Sequence, residues 1–460
     1  MKKFLSSCGF IIYPILLVFF VAGGTALKAQ DTDKKPKLTS EAKLARLHSL
    51  RILDEMEDIL EKYYYDPNFR GIDLKTRIEA AKERVKTLEY NWQMYRVLVQ
   101  VLMDFNDSHT NVILPPRTDY FQYGFGVQMI GGDCHITSIK KDSDAARQGI
   151  EVGDQIVALG KFKPTRRDLW KMMYVLYKLD PADTLDLTIR KPDGTQKSLT
   201  IKAKTMTDRE FRAEQKTRRE KKKYEPVKCQ PLSAEVIACK LYSFVVERSD
   251  IDKMMKQAAK YPKLVLDLRG NGGGYVFIEE YLVSYFFDRQ IKIGDMVTRK
   301  KTESRFTKPS NERLYKGEVA VLVDSDSASA AEMTARVLQL EQRAKIFGDV
   351  SSGSVMTSIS IPFRSIMDGT TAAVAFINVG MSVTIADVIM RDGSRLENKG
   401  VIPDEVLLPS GSALAKKTDP VLAYAAYKFG AKITPEQAGS MYFMVEKDEF
   451  GDDGETPESN

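Results

Sequence analysis

Apolar residues in the first part of the chain recur at steps of three and four positions. The pattern runs through 40–108, where Leu44, Leu47 and Leu50 begin a series that continues along the segment. On a helix, such spacing places apolar side chains on one face, so that several helices can pack against each other. The sequence therefore predicts an N-terminal helical domain over 31–118.

Between 119 and 204 the pattern changes to the short, alternating segments of β-strands. Strands are predicted at 126–129, 135–139, 153–159, 185–189 and 199–201, with helices at 143–149 and 166–177. This order, and the stretch SDAARQGIEVGDQIVALG in particular, resembles the bacterial, permuted form of a PDZ domain. The resemblance implies that the end of a polypeptide binds as an added strand, with its carboxylate at Gly124, Phe125 and Gly126. An ordinary small β domain without a ligand is the alternative.

The second half of the chain alternates apolar strands with helices. Strands are predicted at 236–241, 264–268 and 319–323, and helices at 276–287 and 330–339. Such alternation indicates an α/β core, which we place at 227–410. A helical extension is expected at 411–445 and a disordered acidic tail at 446–460.

A run of charged residues separates the two regions. Residues 202–225 contain ten Lys or Arg and five acidic residues. Charge runs of this kind are usually solvated, so 205–226 is predicted to be a basic linker or an exposed helix face.

Composition and charge argue against two kinds of site, one for nucleic acid and one for a metal ion. Lys and Arg number 69 against 63 Asp and Glu, a net charge of +6 that is small for 460 residues. Nucleic-acid binding requires a concentrated basic face, so we expect no nucleic-acid partner. Three His and four Cys without a CxxC pair leave little for a zinc site, and we expect no metal and no cofactor.

The chain begins with the layout of a secretory signal peptide. Lys2 and Lys3 precede an apolar run of thirteen residues at 10–22, and small residues follow. A membrane-spanning helix needs roughly 20 apolar residues, so we expect 1–30 to be cleaved and to leave no membrane anchor. The mature protein is then expected in the periplasm or outside the cell.

Export makes disulfide bonds possible. Cys229 and Cys239 flank a turn-like Gln-Pro-Leu-Ser between two apolar stretches, which makes a disulfide across a hairpin one expectation. Cys134 is expected to be free and buried.

A glycine-rich turn follows the apolar segment LVLDLRGNGGG at 264–274. Glycines allow close approach and unusual backbone angles, and free N–H groups at such a turn can stabilise an oxyanion. A turn of this kind can also bind phosphate, but neither GxxxxGK[ST] nor GxGxxG occurs in the chain. The oxyanion interpretation is therefore favoured.

A second motif, VLVDSDSASAAE at 321–332, places a serine at the start of a helix. Its hydroxyl can simply cap the helix, a role for which several neighbouring Ser and Asp residues compete. It can also be a nucleophile, because the helix end favours negative charge and the next N–H is free to donate. The motif by itself leaves both roles open.

Five features occur together in one order: helices ending in DSHT, the PDZ-like segment, LVLDLRGNGGG, VLVDSDSASAAE and LENKGVIPDEVLL. Over about 40–410 they resemble C-terminal processing (tail-specific) proteases and their tricorn-like relatives. The resemblance implies a multidomain α/β fold. It consists of an N-terminal helical domain, a PDZ-like β domain and a crotonase/ClpP-like α/β peptidase core.

The resemblance assigns a nucleophile and an oxyanion hole by motif position. Ser329, three residues before the glutamate of SASAAE, corresponds to the family nucleophile. Ala330 and a glycine of the pair Gly272 and Gly273 correspond to the oxyanion hole. Better-known members use a Ser-Lys dyad, but Ser354 stands at the position of that lysine.

A serine without this lysine needs another base. In the tricorn-like branch the base is a histidine, which matches His109 of DSHT, and Glu397 of LENKG corresponds to the glutamate that orients it. The resemblance thus implies a triad of Ser329, His109 and Glu397 that forms an acyl-enzyme.

The sequence as a whole predicts an exported serine endopeptidase that acts on unfolded or C-terminal segments of proteins. Its partners are polypeptide substrates, whose C-terminus the PDZ-like domain binds. Two alternatives stay open at this point. One is a catalytically inactive, PDZ-containing peptide-binding protein, and the other is a different acyl hydrolase, such as an esterase, on the same scaffold.

Overall fold

The computed structural model describes residues 39–221, 226–309, 313–364, 379–441 and 443. The signal peptide expected at 1–30 and the acidic tail expected at 446–460 lie outside these residues. In the described part of the chain, no helix is both long and apolar enough to cross a membrane.

Three helices form the N-terminal region: α1 (Ser40–Tyr63), α2 (Leu74–Val85) and α3 (Asn91–Met103). Side chains cap the first two, because Thr39 accepts a hydrogen bond from the Ala42 N–H and Asp73 accepts one from the Thr76 N–H. The short strand β1 (Asn111–Ile113) follows. The apolar faces of the helices share one hydrophobic core with a strand far along the chain, at 380–390.

The next region is a small β domain with the order of elements predicted for a PDZ domain. Its elements are β2 (Asp119–Gln122), β3 (Phe125–Ile130), β4 (Asp133–Ile139), α4 (Asp144–Arg147), β5 (Gln155–Leu159), α5 (Leu169–Tyr174), β6 (Thr184–Arg190), β7 (Gln196–Lys202) and β8 (Lys204–Thr207). Strands β3 to β7 form an antiparallel sheet in chain order, so β3 is an edge strand. A π-helical turn, Val175–Leu179, extends α5.

The segment expected as a basic linker is mostly a helix, α6 (Asp208–Lys221). Its sequence is rich in Arg, Glu, Lys and Gln, which are good helix formers. The helix packs on the ribbon formed by β2 and β8, where the rings of Phe211 and Tyr120 stack with centroids 4.1 Å apart. Of the two forms considered for this segment, linker and helix face, the structure has the helix.

The C-terminal region contains two sheets. Its elements are β9 (Val227–Pro231), β10 (Val236–Leu241), α7 (Arg248–Ala258), β11 (Lys263–Asp267), α8 (Val276–Ser284), β12 (Lys292–Thr298), β13 (Thr302–Phe306), β14 (Glu318–Val323), α9 (Ala330–Leu340), β15 (Ala344–Gly348), β16 (Thr357–Pro362), β17 (Gly380–Met390), β18 (Glu405–Val406), α10 (Gly411–Ala415), α11 (Pro420–Lys428) and α12 (Pro435–Gly439). The first sheet has the order β18-β15-β14-β11-β10-β9 and is parallel except for the β9–β10 pair. The second is antiparallel and joins β12, β13, β16 and β17 to β1 of the N-terminal region.

Helices cover both faces of the six-stranded sheet. Along β11, Leu264 and Leu266 face a core shared with α7, α8 and α9, whereas Val265 faces a core shared with α11 and α12. Alternate residues of a strand point to opposite faces, and this strand is apolar on both. The multidomain α/β fold predicted from the sequence is thereby confirmed.

Parallel strands place the two chemical motifs side by side. Strands β11 and β14 are neighbours, with Asp267 paired to Leu322 at their carboxyl ends. The glycine-rich turn leaves the end of β11, and the serine-containing turn leaves the end of β14. Loops at this edge of an open α/β sheet are a common position for ligand sites.

A disulfide joins Cys229 and Cys239, which lie opposite each other on β9 and β10. Cys134 is free and buried within the PDZ-like domain.

Candidate active site

Ser329 occupies the N-cap position of α9 with an unusual backbone. Its φ of 54° and ψ of −119° lie in a region that residues other than glycine rarely adopt. Its N–H donates both to the Ser354 carbonyl, at 2.9 Å, and to the Glu332 carboxylate, at 3.0 Å. Strained backbone of this kind persists only where its surroundings hold it, and it is common at functional sites.

The glycine-rich turn packs directly on this serine. Gly273 has a φ of 93°, and a Cβ added to it would lie 2.6 Å from the Ser329 Cβ and 3.1 Å from the Ala330 nitrogen. The N–H of Gly273 already donates to the Asn271 side chain at 2.9 Å. Among the described residues, neither the N–H of Gly272 nor that of Ala330 has a protein acceptor. These two donors are therefore the ones available for an oxyanion beside Ser329.

His109 and Glu397 are joined through a third side chain, that of Ser108. The Ser108 hydroxyl lies 2.7 Å from Nδ1 of His109 and 3.1 Å from Oε2 of Glu397. The main-chain N–H of Ser108 also donates to Oε1 of Glu397, at 3.1 Å. The histidine precedes the PDZ-like domain and the glutamate lies near the end of the peptidase core, yet one serine contacts both.

The chemistry of these groups fixes the positions of the protons. An ionised carboxylate only accepts, and a hydroxyl has a single hydrogen. When Glu397 is ionised, the Ser108 hydroxyl therefore donates to it and accepts from Nδ1–H of His109. Nε2 of the neutral imidazole is left with its lone pair, which is the form that a general base requires.

Burial shifts the pKa values of both Glu397 and His109. It raises the pKa of Glu397 to about 7, against the lowering effect of the N–H donors of Ser108 and Val355. Burial lowers the pKa of His109, and the charge of Asp107 opposes that effect. Burial therefore favours the neutral form of the imidazole, and it also favours the protonated form of the Glu397 carboxyl.

Asp107 anchors the segment that carries His109. This carboxylate is buried and accepts from the His109 N–H at 2.9 Å, the Tyr64 hydroxyl at 2.9 Å and the Thr384 hydroxyl at 2.7 Å. Helix α1, strand β17 and the histidine loop are thus tied to one side chain. The shared core of these elements places a histidine from the N-terminal region next to the peptidase core.

The loop 351–355 connects the serine to the glutamate. The carbonyl of Ser354 accepts from the Ser329 N–H, and the N–H of Val355 donates to Oε2 of Glu397 at 3.2 Å. Adjacent residues of one loop therefore contact both ends of the predicted triad. Ser354, which stands where the family lysine is expected, contributes its main chain to this arrangement.

Glu332 holds this loop against the serine. Its fully buried carboxylate accepts from the Ser351 hydroxyl at 2.5 Å and from the N–H groups of Gly353 at 2.7 Å, Ser354 at 2.9 Å and Ser329 at 3.0 Å. Burial raises its pKa to about 7, while these four donors favour the ionised form. This one carboxylate therefore holds three residues of the loop 351–355 in place.

A buried ionic network supports the glycine-rich turn. Arg269 makes paired hydrogen bonds to Asp267 and to Asp419, the N-cap residue of α11, and Lys240 contacts Asp267 at 3.3 Å. Burial opposes ionisation of Asp267, but the charges of Arg269 and Lys240 outweigh it and lower the pKa of this carboxyl. The Asp324 carboxylate also accepts a hydrogen bond from the Gly270 N–H, at 2.8 Å. The turn is therefore tied to both β14 and the C-terminal helices.

The PDZ-like domain contacts the two residues that directly precede the loop 351–355. Arg166 donates to the Val350 carbonyl at 2.9 Å and forms an ion pair with Asp349, which also accepts from the Gly131 N–H at 2.7 Å. The predicted carboxylate-binding residues Gly124, Phe125 and Gly126 lie at the opposite end of β3 from Gly131. At Gly124 only glycine fits, because its φ is 89° and a Cβ would lie 2.1 Å from the Ser143 Cβ.

The structure thus gathers Ser329, Ala330, Gly272 and Gly273 in one place and links His109 to Glu397. Sequence reasoning missed two members, Ser108 and Glu332. Both had a local signal. Ser108 directly precedes the histidine in DSHT, and Glu332 lies three residues after Ser329, the spacing at which a side chain reaches back to an N-cap N–H.

Comparisons with known proteins match two parts of this chain to protein families. Residues 236–407 match the model of peptidase family S41, and residues 122–203 match that of a PDZ domain. The carboxy-terminal processing protease CtpB of Bacillus subtilis (strain 168) is 24% identical over 378 residues, which cover 80% of this chain and 71% of the relative.

Two solved structures are similar in fold. Mature CPAF complexed with lactacystin has a TM-score of 0.62 at 14% identity, covering 86% of this chain and 99% of the other. The photosystem II D1 C-terminal processing protease has a TM-score of 0.50 at 18% identity, covering 82% of this chain and 95% of the other. The comparisons give no support to a non-enzymatic binding protein or to an esterase.

Proposed function

We propose that this chain, in which residues 236–407 match peptidase family S41 and residues 122–203 match a PDZ domain, is an exported serine endopeptidase for unfolded or C-terminal protein segments. The family match and the carboxy-terminal processing relative support the reaction class. The layout of 1–30 supports export. The PDZ match supports a polypeptide with a free C-terminus as the substrate.

In the proposed mechanism, the Ser329 hydroxyl oxygen attacks the carbonyl carbon of the scissile peptide bond. Nε2 of His109 takes the hydroxyl proton, and the N–H groups of Ala330 and Gly272 stabilise the oxyanion. When the C–N bond breaks, the imidazolium returns the proton to the amine that leaves. Water then attacks the Ser329 ester, with His109 again as the base, and releases the new carboxyl end.

The observation that carries this proposal is the Ser108 hydroxyl between His109 and Glu397. It gives the imidazole a defined tautomer and connects it to a carboxylate, which compensates the positive charge that forms during attack. A Ser-His-Ser-Glu relay thereby takes the place of the Ser-Lys dyad, whose lysine position holds Ser354. This assignment follows the tricorn-like branch suggested by the sequence.

The experiment is cleavage of casein, an unstructured protein, by the chain from residue 31 and by its Ser329→Ala and His109→Ala variants. Ser440→Ala is the matched control, because among the described residues this hydroxyl donates to the Gln437 carbonyl of α12, at 2.7 Å. We expect both active-site variants to lose cleavage and the control to retain it. A serine-directed phosphonate that labels Ser329→Ala as well as the unaltered chain would refute Ser329 as the nucleophile.

One further result would change the mechanism but not the reaction class, and another would refute the proposal. If only Ser329→Ala is inactive, another base has to replace His109. If neither variant affects cleavage, the peptidase site lies elsewhere, and the proposal fails.

A further inference from the structure

A cavity of about 550 Å³ lies where the N-terminal helices meet the PDZ-like domain. Its walls come from the first two turns of α3, from the segment 114–117 that follows β1, and from residues 178–180 at the end of the π-helical turn. This volume is in the usual range of ligand sites. None of the residues assigned to catalysis lines the cavity, so the candidate active site does not account for it.

The charged side chains of this cavity favour an anion. Arg96, Arg117 and Lys178 line it against the carboxylate of Asp180, which leaves a net charge of +2. Arg96 forms an ion pair with Asp180. A guanidinium has five N–H donors, and among the described residues Arg117 uses one of them, which donates to the Lys178 carbonyl at 3.1 Å. The half-buried Arg117 therefore has further donors for a ligand, and phosphate is one of the anions that a guanidinium binds with paired hydrogen bonds.

Two exposed aromatic side chains adjoin the cavity. Tyr90 is 58% exposed, and Trp92, which itself lines the cavity, is 49% exposed. Their rings stack with centroids 6.4 Å apart, and the Arg96 guanidinium lies 4.4 Å from the centroid of the Trp92 ring. Tyr and Trp combine an apolar ring with a polar group, and they are enriched where a bilayer meets water. Aromatic rings beside a cationic cavity therefore suit a ligand with an anionic headgroup and an apolar part.

The same face lies close to the point where the chain enters the N-terminal helices. Arg46 of α1 donates to the Leu88 carbonyl at 2.6 Å, two residues before Tyr90. Arg46 is the seventh residue of α1, about 9 Å from the start of the helix. The apolar run at 10–22, which we expect to enter the membrane during export, ends 17 positions before the N-cap of α1. Since 17 residues span at most about 60 Å, this run would hold the aromatic face near the bilayer.

We propose that Tyr90, Trp92 and the cavity with Arg96 and Arg117 form a membrane-docking face that binds the surface of a bilayer containing anionic phospholipid. The phosphodiester of one headgroup accepts hydrogen bonds from Arg117, and the two aromatic rings lie at the level of the headgroups. An acidic peptide would pair with the cations alone, whereas a bilayer also covers the exposed rings. The proposal rests on the export that is part of the proposed function, and it does not depend on Ser329.

The first test is sedimentation of the chain from residue 31 with lipid vesicles. One set contains equal parts of phosphatidylglycerol and phosphatidylcholine, and the other contains phosphatidylcholine alone. We expect binding to the anionic vesicles to be about tenfold tighter or more, and to weaken at high salt. Millimolar inorganic phosphate should leave the protein on the vesicles. Release by phosphate would show that the cavity binds a free anion, and equal binding to both vesicles would remove the role of the cations; either result overturns the proposal.

The fluorescence of Trp92 tests which surface contacts the vesicles. The chain has two tryptophans, Trp92 and Trp170, so Trp170→Phe leaves Trp92 as the only one. Anionic vesicles are expected to shift the emission of Trp92 to shorter wavelength, because its exposed ring leaves water. Vesicle binding without such a shift would place the contact on another surface and refute the membrane-docking face.

Variants test the two kinds of side chain separately. Arg117→Gln is expected to weaken vesicle binding about fivefold, since one cation near an anionic surface contributes about that factor, and Arg117→Lys should retain most of the binding. Trp92→Ala should weaken it by a similar factor or more. The controls are Lys256→Gln, which removes an exposed cation of α7, and Tyr427→Ala, which removes a ring of α11 that is 65% exposed. Equal losses in the controls would indicate unspecific adsorption and contradict the proposal, provided that circular dichroism shows all variants folded.

The outcomes separate membrane docking from the peptidase function, because vesicle binding needs no cleavage. If the chain cleaves casein but does not bind anionic vesicles, the membrane-docking face is wrong and the peptidase function stands. If the unaltered chain and Ser329→Ala bind the vesicles equally and neither cleaves casein, the membrane-docking face stands and the peptidase function fails.

Discussion

Ser108→Ala is the substitution that isolates the proposed relay. It removes the hydroxyl that lies 2.7 Å from Nδ1 of His109 and 3.1 Å from Oε2 of Glu397. Glu397 keeps its main-chain donors, Ser108 N–H at 3.1 Å and Val355 N–H at 3.2 Å. The loop geometry is therefore preserved while the connection between imidazole and carboxylate is lost.

The size of the effect follows from the charges that the hydroxyl bridges. A hydrogen bond to a charged group contributes about 1.5–3 kcal/mol, and the imidazolium exists only during the reaction. The variant therefore loses this stabilisation in the transition state. The loss corresponds to a decrease of about 10- to 150-fold in kcat/KM. Since Ser108 acts on His109 rather than on the substrate in the proposed mechanism, we expect the decrease in kcat rather than in KM.

The assay is the pH dependence of kcat/KM on a quenched fluorescent peptide. Ser108→Thr retains a hydroxyl and is expected to recover most of the activity that Ser108→Ala loses. Ser304→Ala is the matched control, because the Ser304 hydroxyl also donates to a carboxylate, that of Asp295 at 2.6 Å, within the pair of strands β12 and β13.

Three results would refute this reasoning. The first is a Ser108→Ala variant with unaltered kcat/KM. The second is an equal loss in Ser108→Thr and Ser108→Ala, which would indicate a packing effect. The third is an acid limb of the pH profile that does not move in Ser108→Ala, because Glu397 would then not act through this hydroxyl.

Three further predictions address the oxyanion hole, the buried network and the titrating carboxylate. Gly273→Ala is expected to lower kcat by about 100-fold or more, because the new Cβ would lie 2.6 Å from the Ser329 Cβ; steady-state kinetics with a circular dichroism control would show it. Asp419→Ala leaves Arg269 buried with one partner fewer, so urea unfolding should give a loss of about 3–5 kcal/mol, and an unchanged midpoint would contradict it. Activity should fall as the pH decreases through about 7, because Glu397 then gains a proton and no longer accepts from Ser108. Glu397→Gln should remove this limb at a lower maximal rate, and an identical limb in that variant would assign it to another group.

Much of the fold could be predicted from the sequence, because the patterns that indicate helices and strands are local. The strand predicted at 236–241 is β10 with the same bounds, and the helix predicted at 330–339 is α9 with one residue more. Periodicity, caps and glycine turns act over a few residues and need no knowledge of the rest of the chain. The motifs at 264–274 and 321–332 also follow strands, so their placement at strand ends could be expected.

The sequence by itself determined the order of the domains, the peptidase motifs and the absence of a lysine at Ser354. Only the tertiary structure decided how these parts act together. Ser108 and Glu397 are 289 positions apart, and their contact depends on the packing of the N-terminal helices on β17. Likewise, Glu332 gathers donors from a loop about twenty residues away, and Ser325 meets Met129 across two domains. Local patterns specify which element forms, whereas a site depends on contacts between elements that share no pattern, and those exist only after the cores have packed.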